Sequence, residues 1–416
     1  MSTNSNEYHH NHYVPVWYQK RFMRPGQSVY NYLDLKPDVL VNNGQSYTSR
    51  PLRFRGADSC FAQDDLYTTK WGAVENTQIE RFFFGKIDTE GRKGVEYFNN
   101  FNHPDQHYDE AAFMGLVTYM SVQKIRTPKG LGWLSETART EHQNLTLIFL
   151  QQVQGIFGAT WTECVWQIAD ASQSKVKFII SDHPMTVYNR GCYPGSSYCT
   201  GFNDPDIRMV ASQTYFPLSL EKVLILTNLS WVRNPYRSER NIRPNPTYFH
   251  HGIFNFTDIQ MWRYLSESEV LQINYITKIR AFRYIAAADK DWLFPEKHLD
   301  STNWGKLGNG YLLMPEPRDI VMGGQTFIRY KSGATEGFSE YGHKPWEPGF
   351  EDEERDRIES AALERFKAEF AVMQGPAWRG TSANFNQKGP HIDADEFHNH
   401  DLERARRYRT ARRKRR

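Results

Sequence analysis

The spacing of apolar positions changes along the chain and predicts strands first and helices next. Residues 13–54 mix short extended stretches with Gly and Asn turns, which is typical of a few strands. Over residues 74–99, 108–126 and 131–157, apolar side chains recur three or four positions apart, as they do on one face of a helix. These ranges therefore predict three consecutive helices.

Polar and small residues mark the expected interruptions and ends of these helices. Gly91 and Gly94 predict a break within the first helix, because glycine is a poor helix former. Asp109 and Glu110 are typical of a helix start. Pro128 ends the second helix, since the residue before a proline avoids helical geometry.

Further along, apolar and polar residues alternate, which predicts strands. The segment TWTECVWQI shows this alternation, and a polar loop joins it to VKFIIS. We therefore expect these two strands to form a hairpin. Two more strands are expected at YFPLSL and KVLILTN.

The order of these elements predicts the fold class. A capping box formed by Ser266 and Glu269 opens a last core helix, and the core is expected to end near residue 295. We expect an α+β fold, with a small mixed or antiparallel sheet packed against a helical bundle, followed by a C-terminal helix and a basic tail. The expected parts are a flexible N-terminus (1–9), the α+β domain (10–295), an irregular decoration (296–345), an amphipathic helix (346–375) and a disordered region with the basic tail (376–416).

Composition narrows the class of protein but indicates no reaction. The chain has 416 residues, and 51 Lys and Arg against 48 Asp and Glu give a formal charge of +3. A mean hydropathy of −0.69, without a long apolar run, argues against a membrane span. No signal-peptide leader is recognised, so a cytoplasmic location is expected, or a nuclear one if the source is eukaryotic. The scattered cysteines predict reduced thiols: Cys60, Cys164, Cys192 and Cys199.

The small net charge conceals a strongly basic tail. Residues 401–416 carry nine basic side chains against two acidic ones, a local charge of +7 that leaves the first 400 residues at −4. Such a tail attracts phosphate polymers regardless of their sequence, so nucleic acid is the partner that it predicts. A solvated chain end without a specific partner is the alternative. The side chains assigned to nucleic-acid contact are Arg406, Arg407, Arg412, Arg413 and Arg415.

The N-terminal segment brings three histidines next to an aromatic cluster. His9, His10 and His12 lie directly before Tyr13 and its apolar neighbours. They could bind a metal, yet metal sites in proteins draw their ligands from separated segments. A structural hydrogen bond is the alternative for each histidine.

Polar side chains also occur beside or within the apolar faces of the first two predicted helices. Glu75 and Glu80 flank the face of the first, where each could pair with a cation or point into a cleft as an acid, a base or a metal ligand. Gln123 and Arg126 continue the apolar stripe of the second. A buried guanidinium needs an anionic partner, either a carboxylate of the fold or an anion on a substrate.

Asp182 follows a predicted buried strand, Phe178–Ile180, and is the strongest single candidate for a functional residue. An acid at the end of such a strand is held rigidly where a cleft can open. Pro184 keeps His183 extended rather than helical. The alternative is a turn in which Asp182 closes the strand.

Signatures of the common enzyme classes are missing from the sequence. The chain has no P-loop, no Gly-rich dinucleotide motif after a strand, no HExxH, no G-x-S-x-G and no zinc-type Cys/His spacing. Asp182 and the later Glu221-Lys222 also lack the spaced E-x-K of a restriction-type nuclease. The easily named enzyme classes are therefore not indicated.

Several short motifs follow one another in a fixed order along the chain. They are His12-Tyr13-Val14-Pro15 with Tyr18 and Phe22; Asp65-Leu66-Tyr67; the acids Glu75 and Glu80; Gln123-x-x-Arg126-x-Pro128; Phe178-Ile-x-Ser181-Asp182-x-Pro184; Pro217-Leu218-Ser219; and Asn274 leading into Ala281, Arg283 and Tyr284. This order resembles the domain of unknown function 4238 family over about residues 10–290. Gln19 stands where that family usually has Leu, and everything after residue 295 lies outside its pattern. The resemblance implies the domain boundary and a site made of His12, Glu80, Arg126 and Asp182, but no settled activity.

Two functions are consistent with these residues. The first is a hydrolase acting on phosphodiester (nucleic-acid) substrates, in a defence or toxin role. His12 would be its general acid and base, and Arg126 would bind phosphate. Glu80 and Asp182 would hold Mg²⁺ or Mn²⁺, or orient the histidine. The second is a non-catalytic binding or regulatory protein whose polar motif residues form a buried structural network. The supporting residues are Glu75, Gln123, His183 and Asn274.

Overall fold

The computed structural model describes most of the predicted core. The described residues are 9–42, 45–72, 74–102, 109–162, 164–209, 212–228, 259–305, 307, 325–329, 332–339, 343–355, 357–358 and 361. The predicted helix over 346–375 lies largely outside these ranges. The predicted disordered region and basic tail, 376–416, lie wholly outside them.

Most of the helices lie between residues 85 and 162, and one more follows near the end of the core. They are α1 (Val16–Gln19), α2 (Gly85–Asn99), α3 (Glu110–Arg126), α4 (Pro128–Ala138), α5 (Gln143–Gln152), α6 (Gly158–Thr162) and α7 (Glu267–Arg280). A π-helix, Ile79–Phe84, leads directly into α2. Among the described helices, none is long and apolar enough to cross a membrane.

The strands form two principal sheets. In chain order they are β1 (His10–His12), β2 (Tyr30–Asp34), β3 (Val39–Asn42), β4 (Gln45–Thr48), β5 (Leu52–Arg55), β6 (Ala62–Asp64), β7 (Thr69–Trp71), β8 (Val74–Asn76), β9 (Val165–Asp170), β10 (Ile180–Ser181), β11 (Thr186–Tyr188), β12 (Gln213–Pro217), β13 (Lys222–Thr227), β14 (Gln260–Tyr264), β15 (Tyr284–Ala287), β16 (Gln325–Arg329) and β17 (Thr335–Ser339). The five-stranded sheet has the order β11-β12-β13-β9-β14, in which β14 runs parallel to β9 and the other pairs are antiparallel. The four-stranded sheet, β10-β15-β2-β5, is antiparallel. The predicted α+β class is therefore confirmed.

The helices cover the five-stranded sheet through aromatic contacts. All residues of β12 are buried, and β13 is buried after its first residue, which explains its nearly continuous apolar sequence. Trp166 of β9 packs against Phe98 of α2 and Phe113 of α3, with ring centroids 5.6 and 5.5 Å apart. The core thus lies between this sheet and the pair α2 and α3.

The helices α2 and α3 approach closely because glycines lie at their contact. A Cβ added at Gly91 would lie 2.5 Å from the Tyr119 side chain, and one added at Gly94 would lie 2.6 Å from the Ala112 backbone oxygen. The predicted break at these glycines is wrong, since α2 runs unbroken from Gly85 to Asn99. Their cost to helix stability, about 1 kcal/mol each, is offset by the close helix contact.

Two other predictions, a single helix over residues 131–157 and a hairpin after it, are wrong. The predicted helix over 131–157 is divided, because Arg139 adopts the left-handed conformation (φ 52°) that ends α4. The predicted hairpin does not form, since β9 pairs with β13 and β14 while β10 pairs with β15. The strands predicted at YFPLSL and KVLILTN are confirmed, and so is the capping box at Ser266.

Candidate functional site

His12 ends β1 and hydrogen-bonds within the fold. Its Nε2 lies 2.9 Å from the Asp58 backbone oxygen. Burial is the largest influence on the pKa of His12, which it lowers. His9 and His10 each pair with a different aspartate of the segment 64–65, at 2.5 and 2.7 Å. The three histidines therefore make separate contacts, as their structural alternative expects.

Arg126, at the end of α3, is buried and ion-paired. Its Nη1 lies 2.9 Å from Asp88 Oδ1 on α2. Its guanidinium also lies over the rings of Phe84 and Tyr119, 5.3 and 5.7 Å from their centroids. The anionic partner that a buried arginine requires is thus a carboxylate of the fold. Glu80, on the π-helix, is the second acid that acts on this guanidinium.

Gln123 joins this cluster to the N-terminal segment. Arg126 Nε donates to Gln123 Oε1 at 2.7 Å, and Gln123 Nε2 donates to the Tyr13 backbone oxygen at 2.8 Å. The Tyr67 hydroxyl donates to the Arg126 backbone oxygen at 2.8 Å. All four residues are buried, so these hydrogen bonds hold the HYVP segment against α3.

The two carboxyl groups near Arg126 both have raised pKa values. Burial raises the pKa of Glu80 to about 7, although Arg126 opposes the shift and Asp88 adds to it. Burial likewise raises the pKa of Asp88 against the attraction of Arg126. The Oε2 atom of Glu80 is buried and has no hydrogen-bond partner. The guanidinium of Arg126 therefore faces two carboxyl groups, those of Glu80 and Asp88, and the pKa of Glu80 is near neutral.

The carboxylate of Asp182 binds backbone amides at the start of β15. Its Oδ1 accepts from the Phe282 N–H at 2.8 Å. Its Oδ2 accepts from the N–H groups of Arg283 and Tyr284 at 2.6 and 2.8 Å. Burial raises the pKa of Asp182 to about 6, while these three hydrogen bonds lower it. Both oxygens are thus committed to the backbone.

Glu75 and Asn274 also have partners within the fold. Glu75 lies on β8, where it faces Lys70 across the strand pair with their charged atoms 3.0 Å apart. Its predicted helical position is wrong, because helical geometry begins only after β8. Asn274, on α7, donates to the Lys177 backbone oxygen at 2.8 Å and accepts from the Ile179 N–H at 3.2 Å. Its side chain therefore holds α7 against the chain that leads into β10.

The structure brings together part of the predicted site. Glu80, Gln123 and Arg126 share one cluster, whereas no hydrogen bond or ion pair between described residues joins His12 or Asp182 to it. Within the described ranges, no group of three His, Cys, Asp or Glu side chains could hold a metal ion. Metal binding by Glu80 and Asp182 stays a prediction.

A pocket of about 360 Å³ opens beside the C-terminal half of α3. Lys124, His183 and Asp204 contribute its buried charged or titratable side chains. Asp206 and Arg208 also line it and pair with each other at 2.6 Å. Its apolar walls include Trp133, Ile156, Phe157 and Phe202.

Asp204 is the centre of a buried charged group, here called the pocket floor, formed by Lys124, Lys129, His183 and Asp204. Lys129 belongs to this group through Asp204 and lies outside the pocket lining. Lys124 Nζ lies 2.7 Å from Asp204 Oδ2, and Lys129 Nζ lies 2.5 Å from Oδ1. His183 Nε2 lies 3.1 Å from Oδ2. Burial opposes the charge of Asp204, but the two lysines hold its pKa well below the usual range. Asp204 is thus an ionised acceptor for three donors.

His183 has both ring nitrogens engaged. Thr127 Oγ1 lies 2.7 Å from its Nδ1. Because the Asp204 carboxylate can only accept, Nε2 carries the ring proton and Nδ1 accepts from the Thr127 hydroxyl. Burial lowers the pKa of His183 to about 4, against the attraction of Asp204. The ring is therefore neutral near pH 7.

The pocket floor carries more positive than negative charge. Lys124 and Lys129 both lie against the single carboxylate of Asp204. The guanidinium of Arg280 donates to the Cys192 backbone oxygen at 2.7 Å and acts on Lys124 by charge repulsion. Burial lowers the pKa of Lys124, Asp204 raises it, and the two other cations lower it further. Lys129 Nζ also donates to the Arg280 backbone oxygen at 3.0 Å. The floor is thus a buried cationic group.

Of this floor, only His183 is among the residues selected from the sequence. Lys124 lies between Gln123 and Arg126 on α3, and this position is sufficient to predict that its side chain is buried. Asp204 lies in the polar run Asn203–Asp206, which gives no indication of burial. Lys124 and Asp204 are 80 residues apart in the chain, so no local sequence pattern predicts their contact.

These features define an α+β protein with a ligand-sized pocket that has a cationic floor and aromatic walls. The chain belongs to the family described as Protein of unknown function (DUF4238), whose family model matches residues 10–291. The resemblance found in the motifs is thereby confirmed. No curated protein and no solved structure matches the chain. The matched range contains the entire pocket floor.

Proposed function

We propose that the protein binds a small organic anion with an aromatic or apolar body in the pocket beside α3. The observation that carries this proposal is the excess of buried cations at the pocket floor, where Lys124 and Lys129 both pair with the single carboxylate of Asp204. A buried charge without a compensating partner is costly. An anionic ligand would therefore stabilise this arrangement.

Lys124 is the cation of the floor that lines the pocket. Its side chain is 9% exposed, and Asp204 accepts one of its three ammonium protons. The other protons are available to a carboxylate or phosphate oxygen. Hydrogen bonds between charged partners are about twice as strong as those between neutral ones.

The pocket walls indicate the rest of the ligand. The rings of Trp133 and Phe157 pack against each other with centroids 5.8 Å apart, and Phe202 lines the same pocket. Aromatic walls favour a flat apolar ring. A volume of about 360 Å³ is within the usual range for small-molecule sites. An aromatic carboxylate and a nucleoside monophosphate both have this chemistry.

Binding explains the polar groups better than catalysis does. Both nitrogens of His183 have hydrogen-bond partners, which leaves no ring nitrogen for a substrate. The oxygens of Asp182 accept from three backbone amides. These contacts support the second of the two sequence hypotheses, in which the motif residues form a buried structural network.

Calorimetric titration of wild type and Lys124→Met with 4-(hydroxymethyl)benzoate and with adenosine monophosphate tests the proposal. The variant should bind at least about tenfold more weakly, because hydrogen bonds to charged groups contribute about 1.5–3 kcal/mol. Lys93→Met is the matched control, since Lys93 is 67% exposed on α2, and it should bind like wild type. Equal affinity of Lys124→Met and wild type would contradict the proposal.

Phosphodiester hydrolysis is a second candidate function, favoured by one observation. Burial raises the pKa of Glu80 to about 7, which suits a general acid or base at neutral pH. Glu80→Gln should then lose cleavage of labelled DNA or RNA, assayed with and without Mg²⁺ or Mn²⁺. If the wild-type protein cleaves none of these substrates, this candidate is removed.

A further inference from the structure

The amino group of Lys124 lies in surroundings that favour its reactive form. It lies 5.6 Å from the ring centroid of Phe157. Its hydrogen bond to Asp204 at 2.7 Å favours the ammonium form and opposes this effect. The pocket wall also includes Trp133 and Ile156. An amine in an apolar pocket is poorly hydrated, which favours the neutral, nucleophilic form over the ammonium form.

Two neighbouring cations act in the same direction. Burial lowers the pKa of Lys124 against the attraction of Asp204, and repulsion by Lys129 and Arg280 lowers it further. A lysine that is desolvated or beside other cations is a recurrent form of activated amine nucleophile. The packing around Asp204 thus places the Lys124 amine in the lining of a pocket large enough for a small ligand.

Asp204 keeps hydrogen-bond donors even when Lys124 no longer pairs with it. It also accepts from Lys129 at 2.5 Å and from His183 at 3.1 Å. Reaction of Lys124 would therefore leave the buried carboxylate with two donors. This matters because removing the only partner of a buried charge is strongly destabilising.

Lys129 lacks the features that make Lys124 a candidate. Its Nζ donates both to Asp204 and to the Arg280 backbone oxygen, at 2.5 and 3.0 Å. It also lies outside the pocket lining, whereas Lys124 is part of it. Lys129 is therefore not the candidate for a reactive lysine.

We propose that Lys124 is a covalent binding site, whose amine forms an imine with the aldehyde or ketone group of an organic anion in the pocket. The proposal rests on the proposed function, because it uses the same pocket and adds a carbonyl group to the chemistry of the ligand. The ammonium group first releases one proton to solvent, and the nitrogen lone pair then adds to the carbonyl carbon. The two remaining N–H protons leave with the carbonyl oxygen as one water molecule, which gives the C=N bond. No oxidant or reductant is consumed.

The experiment uses the full chain and phenylglyoxylate, an aromatic keto acid whose carboxylate is bonded to the ketone carbon, so that both groups can lie at Lys124. A limiting amount of the keto acid and cyanoborohydride, which reduces an imine to a stable amine, are added near neutral pH. Labelled lysines are then mapped by peptide mass spectrometry. We expect Lys124 to be labelled at least about tenfold faster than the exposed Lys93. Lys86→Arg, at an exposed residue of α2, should keep the label at Lys124, whereas Lys124→Arg should remove it from the pocket while keeping the positive charge.

Labelling of wild-type Lys124 at the rate of Lys93 or below would overturn the proposal, independently of any variant. Mandelate, an analogue in which a hydroxyl group replaces the ketone of phenylglyoxylate, separates this result from the proposed function. If the analogue binds but Lys124 is not labelled selectively, the covalent step fails and the binding function stands. If Lys124 is labelled selectively but the analogue neither binds nor protects it, the anion-binding function fails and the reactive lysine stands.

Discussion

At the scale of single residues, the motif side chains hold segments of backbone together. Asp182 accepts from the N–H groups that begin β15, and Asn274 bonds to the chain before β10. Gln123 donates to the backbone of Tyr13. In each case the side chain is buried, so water cannot replace the lost hydrogen bonds when the side chain is removed.

Asp182→Ala should therefore lower the free energy of unfolding by roughly 3 kcal/mol or more. Three buried amides would lose their acceptor, and an unsatisfied buried group costs about 1–3 kcal/mol. Urea denaturation and thermal melting measure the effect. The control is Asp64→Ala, which changes a side chain that is 78% exposed and should remain within about 0.5 kcal/mol of wild type. A variant that melts like wild type would contradict the structural role of Asp182.

The sequence identified buried polar residues more readily than their partners. Arg126 was expected on a buried face with an anionic partner, and it is buried against Asp88. The partner itself could not be predicted, because it lies on another helix. The same limit applies to Lys124 and Asp204, whose contact depends on the packing of distant segments.

At the scale of elements, a short capping motif predicts the structure correctly, whereas the spacing of apolar residues is a weaker guide to the type of element. The capping box of Ser266 and Glu269 involves residues three positions apart, so its sequence is sufficient to predict its structure. The spacing of apolar residues over 74–99 does not distinguish the strand, the π-helix and the α-helix that this range contains. That region contains β8, Ile79–Phe84 and α2. The predicted hairpin failed because the edges of β9 are paired with β13 and β14.

The π-helix Ile79–Phe84 should make the stability of the fold depend on pH through Glu80. The pKa of Glu80 is about 7 in the folded state, above its ordinary value of 4.5. Its stabilising contribution is therefore fully present below about pH 4.5 and is lost as the pH rises through about 7. The free energy of unfolding of Glu80→Gln, minus that of wild type, should be larger at about pH 8 than at about pH 4.5 in urea titrations. The same difference at both pH values would show that Glu80 does not titrate in this way.

At the scale of the whole molecule, charge separates the matched domain from the end of the chain. The first 400 residues sum to −4, whereas residues 401–416 carry +7. The family match covers residues 10–291 and includes the pocket but not the tail. The proposed small-ligand binding and the predicted attraction of nucleic acid therefore belong to different parts of the chain.

Removal of residues 401–416 should weaken nucleic-acid binding and flatten its dependence on salt, because basic side chains release counterions from phosphates. Binding of a labelled single strand, measured over a series of salt concentrations, compares the full and shortened chains. The affinity of the pocket for a small anion should not change. An unaltered salt dependence would place any nucleic-acid contact in the body instead of the tail.

The most direct test of the anion-binding pocket is calorimetric titration of the wild-type protein with 4-(hydroxymethyl)benzoate and with its neutral amide. The two ligands share one aromatic body and differ in the group that would meet Lys124. The account predicts that the carboxylate binds at least about tenfold more tightly than the amide, as the added charge-assisted hydrogen bond requires. Equal binding of the two ligands, or binding of the amide alone, would contradict it.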